Sequence, residues 1–254
     1  MNTLSKVFEN QKVLIPYITL GDPSIEISEQ LVISAFDSGA GIVELGIPFS
    51  DPVSDGPVIQ ASHQRAIENK PDISLQDAFL LRKRVKESHD QPVVFMLSVN
   101  LVFQHGIERF FDDCAQFGVE GVVIPDLPVE EADIYIQASK KSGVAIIFLV
   151  SHLCSVDRME AIVKASEGFV YLISSVGVTG ERAVLSSDLG AIVTKMKSIK
   201  EIPIAVGFGI SSKEHVDYVF SVSDGAIVGS YLVKHLHQAQ DPVTTLKDHI
   251  QKLL

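Results

Sequence analysis

Three carboxylates fall within twelve residues in VELGIPFSDPVSDG, residues 43–56. Glu44 lies inside an apolar run, between Val43 and Leu45. Asp51 and Asp55 follow on a segment stiffened by Pro48 and Pro52. Apolar surroundings disfavour the charged form of an acid. Its pKa then climbs toward neutrality, where it can give or take a proton. The plain structural alternative is a buried ion pair, yet no Lys or Arg occurs between residues 13 and 60. For Asp51 and Asp55 turn chemistry beside Pro and Gly is an equal explanation.

A second group of residues is suited to an anion. SSVGVTGER (174–182), GFGISS (207–212) and GSYLVK (229–234) each follow an apolar run, and the last two open helical patterns. Glycines let backbone N–H groups approach a phosphate, and a helix N-terminus favours negative charge. GFGISS lacks the third glycine of a dinucleotide fingerprint and comes late in the chain. Tyr171 lies inside an apolar run and reads equally as a core residue or a site residue. His235 and His237 are two apart on a helical pattern and face different sides. SHLC (151–154) brings no further ligand, so no metal site is expected.

These residues need a scaffold. Eight short Val- and Ile-rich runs read as strands buried on both faces: 13–20, 41–46, 92–98, 121–126, 144–150, 169–174, 202–209 and 225–230. Between them lie helical patterns, at 25–39, 107–118 and 129–143, each ending at a glycine suited to a left-handed cap. Others are expected at 3–11 and 74–88, and Ser211 with Glu214 reads as a capping box. Eight alternations without a long polar linker favour one (β/α)8 barrel over residues 1–254, with an extra N-terminal helix, over an open doubly wound sheet. In such a barrel the chemistry sits at the C-terminal ends of the strands, where Glu44 and the glycine loops fall.

Composition narrows the function. The chain is 46% hydrophobic, ample for a large core, and carries a net charge of −11, which disfavours nucleic acid or an acidic membrane as partner. The N-terminus does not read as a signal peptide, and no apolar run is long enough to span a bilayer. Cys114 and Cys154 form no CxxC pair and read as thiols of a cytoplasmic protein.

The motifs VELGIPFSDPVSDG, TLGDP (19–23), PDLPVEE (125–131), GVTG (177–180) and GFGIS (207–211) occur in order. With them the chain resembles the tryptophan synthase α subunit family across nearly its full length. The resemblance implies a (β/α)8 barrel that cleaves indole-3-glycerol phosphate to indole and glyceraldehyde 3-phosphate. It implies no cofactor in this chain, and a pyridoxal-phosphate-dependent β subunit as partner in an αββα assembly. By resemblance Glu44 is the acid/base and Asp55 the carboxylate that accepts the indole N–H. Tyr171 is a site tyrosine near Glu44, and Tyr17 a substrate-facing aromatic. Gly180, Gly207, Phe208, Gly209, Gly229 and Ser230 bind substrate and its phosphate, and Pro48 and Asp51 face the partner.

Three positions depart from the family pattern. Ser174-Ser175-Val176 lacks an Arg, Ser98 stands where Tyr is common, and Ser54 stands where a small apolar residue or Gly is usual. A lid and pocket wall altered in this way would slow cleavage and leave mainly allosteric regulation of the β subunit, the second reading. A phosphoribosyl isomerase would bring paired Asp residues at the ends of strands 1 and 5, but the fifth run ends IIFLVSH without an acid. A non-enzymatic scaffold would not need Glu44 in an apolar strand.

Overall fold

The apolar runs form parallel strands because each is screened from water on both faces, by its neighbours inside the ring and by helices outside. The computed structural model describes residues 3–52, 55–173, 189–207 and 209–254. Strands β1 (Val13–Thr19), β2 (Val43–Gly46), β3 (Val93–Met96), β4 (Gly121–Val123) and β5 (Ala145–Ile147) form one arc. β6 (Leu149–Ser151), β7 (Val170–Ile173), β8 (Ile204–Gly207) and β9 (Gly225–Val228) complete the sheet. The order is β5-β4-β3-β2-β1-β9-β8-β7-β6, and every pairing is parallel.

The strand count differs from the expected eight for a local reason. The run 144–150 is divided at Phe148. Its first half pairs with β4 and its second with β7, so the two ends of the sheet are one stretch of chain. Phe148 has left the ladder on one side, where its N–H meets Ser166 Oγ at 3.4 Å, but its carbonyl still accepts from Tyr171 N–H at 3.1 Å. The ring is thereby closed covalently, in a TIM barrel.

Two apolar layers hold it. Ile15, Ile42, Val94, Val123, Ile147, Phe169, Ala205 and Ile227 fill the interior, one from each strand or its approach except β6, whose Leu149 is partly buried against them. The alternate positions, such as Leu14, Val43, Leu45, Phe95 and Val206, pack outward against helices, as the two-residue period of a strand requires.

The helices are α1 (Thr3–Lys6), α2 (Ile25–Asp37), α3 (Pro57–Asn69), α4 (Leu75–Lys86), α5 (Val99–His105), α6 (Ile107–Phe117), α7 (Asp133–Ser142), α8 (Val156–Ala165), α9 (Leu189–Ile199), α10 (Lys213–Val222), α11 (Ser230–Gln238) and α12 (Pro242–Leu253). Gly118 and Gly143 take left-handed φ of 76° and 78° as helix caps, as their position in sequence predicts. The N-terminal helix is shorter than its 3–11 expectation. The α10 cap is Ser212 rather than Ser211, its side chain accepting from His215 N–H. Among the described residues no helix is long and apolar enough to cross a membrane.

Candidate active site

Glu44 is in β2, in register with Tyr17 of β1 on one side and Val94 of β3 on the other. Two residues from Ile42, it shares that residue's inward face. It is 2% exposed, and no Lys or Arg among the described residues forms an ion pair with it. Burial first, and the charge of Asp55 second, push its pKa up to about 8. At neutral pH the group is mostly a protonated acid.

Asp55 precedes α3, whose first turn starts at Gly56 and Pro57; proline suits that position because its missing N–H would be unpaired anyway. Its carbonyl accepts from Gln60 Nε2 at 2.7 Å, which pins the loop to the helix. Burial, then the charge of Asp126, push its pKa up to about 6. At neutral pH it is mostly ionised. Two carboxyls in one barrel mouth are thus tuned apart, one proton-bearing and one anionic.

Tyr17 and Tyr171 are both buried, with their hydroxyl pKa values pushed well above normal by burial and by the nearby carboxylates. Each ring lies across a glycine: a Cβ on Gly46 would strike the Tyr17 hydroxyl, and one on Gly207 would strike the Tyr171 ring. The missing side chain of Gly207 therefore makes room for Tyr171, a task its anion-binding expectation did not include.

A small cleft opens beside these groups, with Tyr17, Asp55, His63, Met96, Ser98 and Asp126 in its walls. Glu44 is not a wall residue; Tyr17, its register partner, is. Gly229 lies at the same end of the barrel, where a Cβ would come 3.6 Å from Tyr17 Cβ. It caps α11, and exposed Ser230 is that helix's first residue. The first N–H groups of such a helix lack intrahelical acceptors and can meet an anion. Gly209 has φ 77°, a conformation that favours glycine. Gly180, Phe208, Ser54, Ser174, Ser175 and Val176 lie outside the described residues. Asp51 is exposed and accepts from Ser50 Oγ at 2.8 Å, while Pro48 is buried.

Three further residues belong to the cleft. Ser98 caps α5 and donates to Asp126 Oδ2 at 2.7 Å; Val99 N–H donates to Asp126 Oδ1 at 2.8 Å. Both oxygens of Asp126 are thereby held. His63 comes from α3, where Ile59, Ser62, His63 and Ala66 form the buried face. The sequence signal for it was a Ser-His pair at core-facing helical spacing just after the aspartate loop. Among the described residues no group of three or more His, Cys, Asp or Glu could hold a metal ion, and both cysteines are free thiols.

The chain is matched by known proteins. The family model for the tryptophan synthase alpha chain matches residues 4–253. The Caldanaerobacter subterraneus tryptophan synthase alpha chain is 39% identical over 98% of this chain and 95% of its own length. That of Lacticaseibacillus casei is 41% identical over 92% and 86%. The structure of Mycobacterium tuberculosis tryptophan synthase superposes with a TM-score of 0.91 at 32% identity, covering 99% of this chain and 96% of that one. The α2β2 complex of Pyrococcus furiosus gives 0.89 at 34% identity, covering 96% and 98%. With agreement running from the first helix to the last, the chain belongs to the tryptophan synthase alpha chain family.

Proposed function

We propose that the chain, folded as one barrel domain, is the lyase of its family's pathway. In this reading it splits indole-3-glycerol phosphate into indole and glyceraldehyde 3-phosphate in the cytoplasm. The observation that carries the reading is the pair of carboxyls in one barrel mouth, with pKa values pushed to about 8 and about 6. Retro-aldol cleavage asks for that division of labour. Protonated Glu44 gives its proton to indole C3, and the ring becomes an indoleninium cation. Ionised Asp55 accepts the ring N–H and steadies that positive charge. The Glu44 carboxylate then takes the proton of the glycerol hydroxyl next to C3. The carbon–carbon bond breaks, its electron pair restores the indole ring, and the hydroxyl carbon leaves as the aldehyde. Glu44 ends protonated, as it began.

The reading gives Tyr17 and Tyr171 the task of walling the ring and excluding water, and gives the phosphate to Gly209, Gly229 and Ser230 with Gly180 and Phe208. The α2β2 assembly of the Pyrococcus furiosus relative supports a β subunit as partner, met at the face carrying Asp51. Pyridoxal phosphate chemistry is assigned to that partner and none to this chain, since the cleavage moves only protons. The test is steady-state indole release from indole-3-glycerol phosphate with the β subunit present. Turnover in the wild type, lost in Glu44→Gln, is expected. No turnover in the wild type, with the β-subunit rate still raised on mixing, would replace catalysis by regulation.

A further inference from the structure

His63 is buried in α3 at the back of the cleft, and the groups around it leave one place for its proton. Phe49 N–H points at Nδ1 at 3.4 Å, so that nitrogen is the acceptor. Burial pushes the ring's pKa down to about 4, so it is neutral and carries its single hydrogen on Nε2. Nε2 stands 3.1 Å from the Tyr17 hydroxyl and 3.9 Å from Asp55 Oδ2.

A second run of donors lies beside it. Ser62 Oγ donates to the Ile59 carbonyl at 2.7 Å, so in its 2.7 Å pair with Thr19 the threonine donates. One set of donors runs from Phe49 to His63 and on to the Tyr17 hydroxyl, the other from Thr19 through Ser62 to Ile59. From this wall, the hydrogen on His63 Nε2 can turn to Asp55, whose Oδ2 is 3.9 Å away.

We propose that His63 is a positioning residue: its Nε2 hydrogen, shared between the Tyr17 hydroxyl and the Asp55 carboxylate, fixes that carboxylate as an aligned anion for the substrate's ring N–H. The inference rests on the role proposed for Asp55. The other groups facing this wall are acidic or already paired. Asp126 raises the cost of a negative charge at Asp55, and Asp22 is held by Arg65 at 2.6 Å. A neutral N–H donor offsets that repulsion without adding a charge. The 3.9 Å gap is one that substrate binding would shorten, as catalytic contacts commonly tighten in the complex.

The test is indole-3-glycerol phosphate cleavage by the full chain with its β subunit, across about pH 5 to 9. His63→Asn keeps an acceptor near Phe49 but falls short of Tyr17 and Asp55. His63→Gln carries an amide N–H to the place of Nε2. The Asn variant is expected to lose about tenfold in kcat with little change in KM. The acidic limb of its pH profile moves upward, and the Gln variant recovers most of both. A His63→Asn enzyme with wild-type kcat and acidic limb overturns the proposal, as does a Gln variant impaired as badly as Asn. Asp55→Asn serves as the control. If it turns over normally, the reading of Asp55 falls; if it is inactive while His63→Asn is normal, only the present inference falls. Nitrogen-15 NMR of the wild-type imidazole needs no variant to fold: a neutral ring protonated on Nε2 is expected, and one protonated on Nδ1 refutes the chain of donors.

Discussion

Two buried charged side chains in this molecule are treated in opposite ways. Arg82, on α4, is fully buried, and the protein gives acceptors to two of its three nitrogens: its Nε donates to the Gly118 carbonyl at 2.7 Å and Nη2 to Glu120 Oε1 at 2.7 Å, while Nη1 has no hydrogen-bond partner among the described residues. Glu120 in turn accepts from Val93 N–H at 3.0 Å. The cluster ties α4 to the approaches of β3 and β4. Glu44, equally deep, forms no ion pair with a Lys or Arg among the described residues and faces another acid. Burying a charge without a partner costs several kcal/mol, so such a group stays neutral. In the reaction proposed for it Glu44 must be such a neutral group, because a paired carboxylate would be a poor proton donor.

Five experiments can break or sharpen that contrast. Glu44→Gln should cut indole release by about 10²–10⁴-fold, the usual worth of a general acid, while circular dichroism shows an intact fold. A folded variant with wild-type turnover would remove Glu44 from the chemistry. Arg82→Leu should do the reverse, destabilising by about 3–5 kcal/mol because Glu120 is left without its main partner. Its rate per folded molecule should be unchanged, as read by urea denaturation alongside the assay.

The third experiment varies pH. With limbs near 6 and 8, kcat/KM should rise as Asp55 ionises and fall as Glu44 loses its proton. The same raised pKa has a stability consequence. Folding favours protonated Glu44, so its contribution is whole below the ordinary glutamate value of 4.5 and fades as pH rises through about 8. Wild type should therefore lose ground to Glu44→Gln over that window in denaturation curves; a pH-independent difference would contradict the buried-acid account. Fourth, Gly46→Ala drives a methyl into the Tyr17 hydroxyl. It should cost about 1–3 kcal/mol and lower turnover, since Tyr17 carries the His63 contact. The smallest effect is expected at Lys86, 3.6 Å from Glu120 and half exposed. Lys86→Ala should stay within about 1 kcal/mol of wild type. A loss as large as that of Arg82→Leu would mean the clamp depends on net charge rather than burial.

Much of this was legible from residues alone, for identifiable reasons. Glu44 stood out because an acid between Val43 and Leu45, with no nearby cation, has few structural uses. The helix ends at Gly118 and Gly143 were readable because a left-handed cap nearly demands glycine. The break at Phe148 was not, since the apolar pattern runs unbroken through 144–150 and the division is made by which neighbours each half meets. His63 was missed because a histidine on a helix face carries no local mark of its partners. They come from β1 and from two places in the segment between β2 and α3, Phe49 and Asp55. Gly207 was read as a substrate- and phosphate-binding glycine; that it also clears space for Tyr171, a ring from another strand, had no local sign. Residues whose meaning is local could be read; those defined by what the barrel brings beside them could not.

The division of the 144–150 run at Phe148 has a mechanical corollary. Every other junction in the ring is held by hydrogen bonds between separate strands; this one is held by the main chain itself. Hydrolysis of a peptide bond between Ile147 and Leu149 would remove no side chain and touch neither Glu44 nor Asp55. It would nonetheless convert an edgeless ring into an open sheet with two raw borders, free to splay and to recruit strands from other molecules.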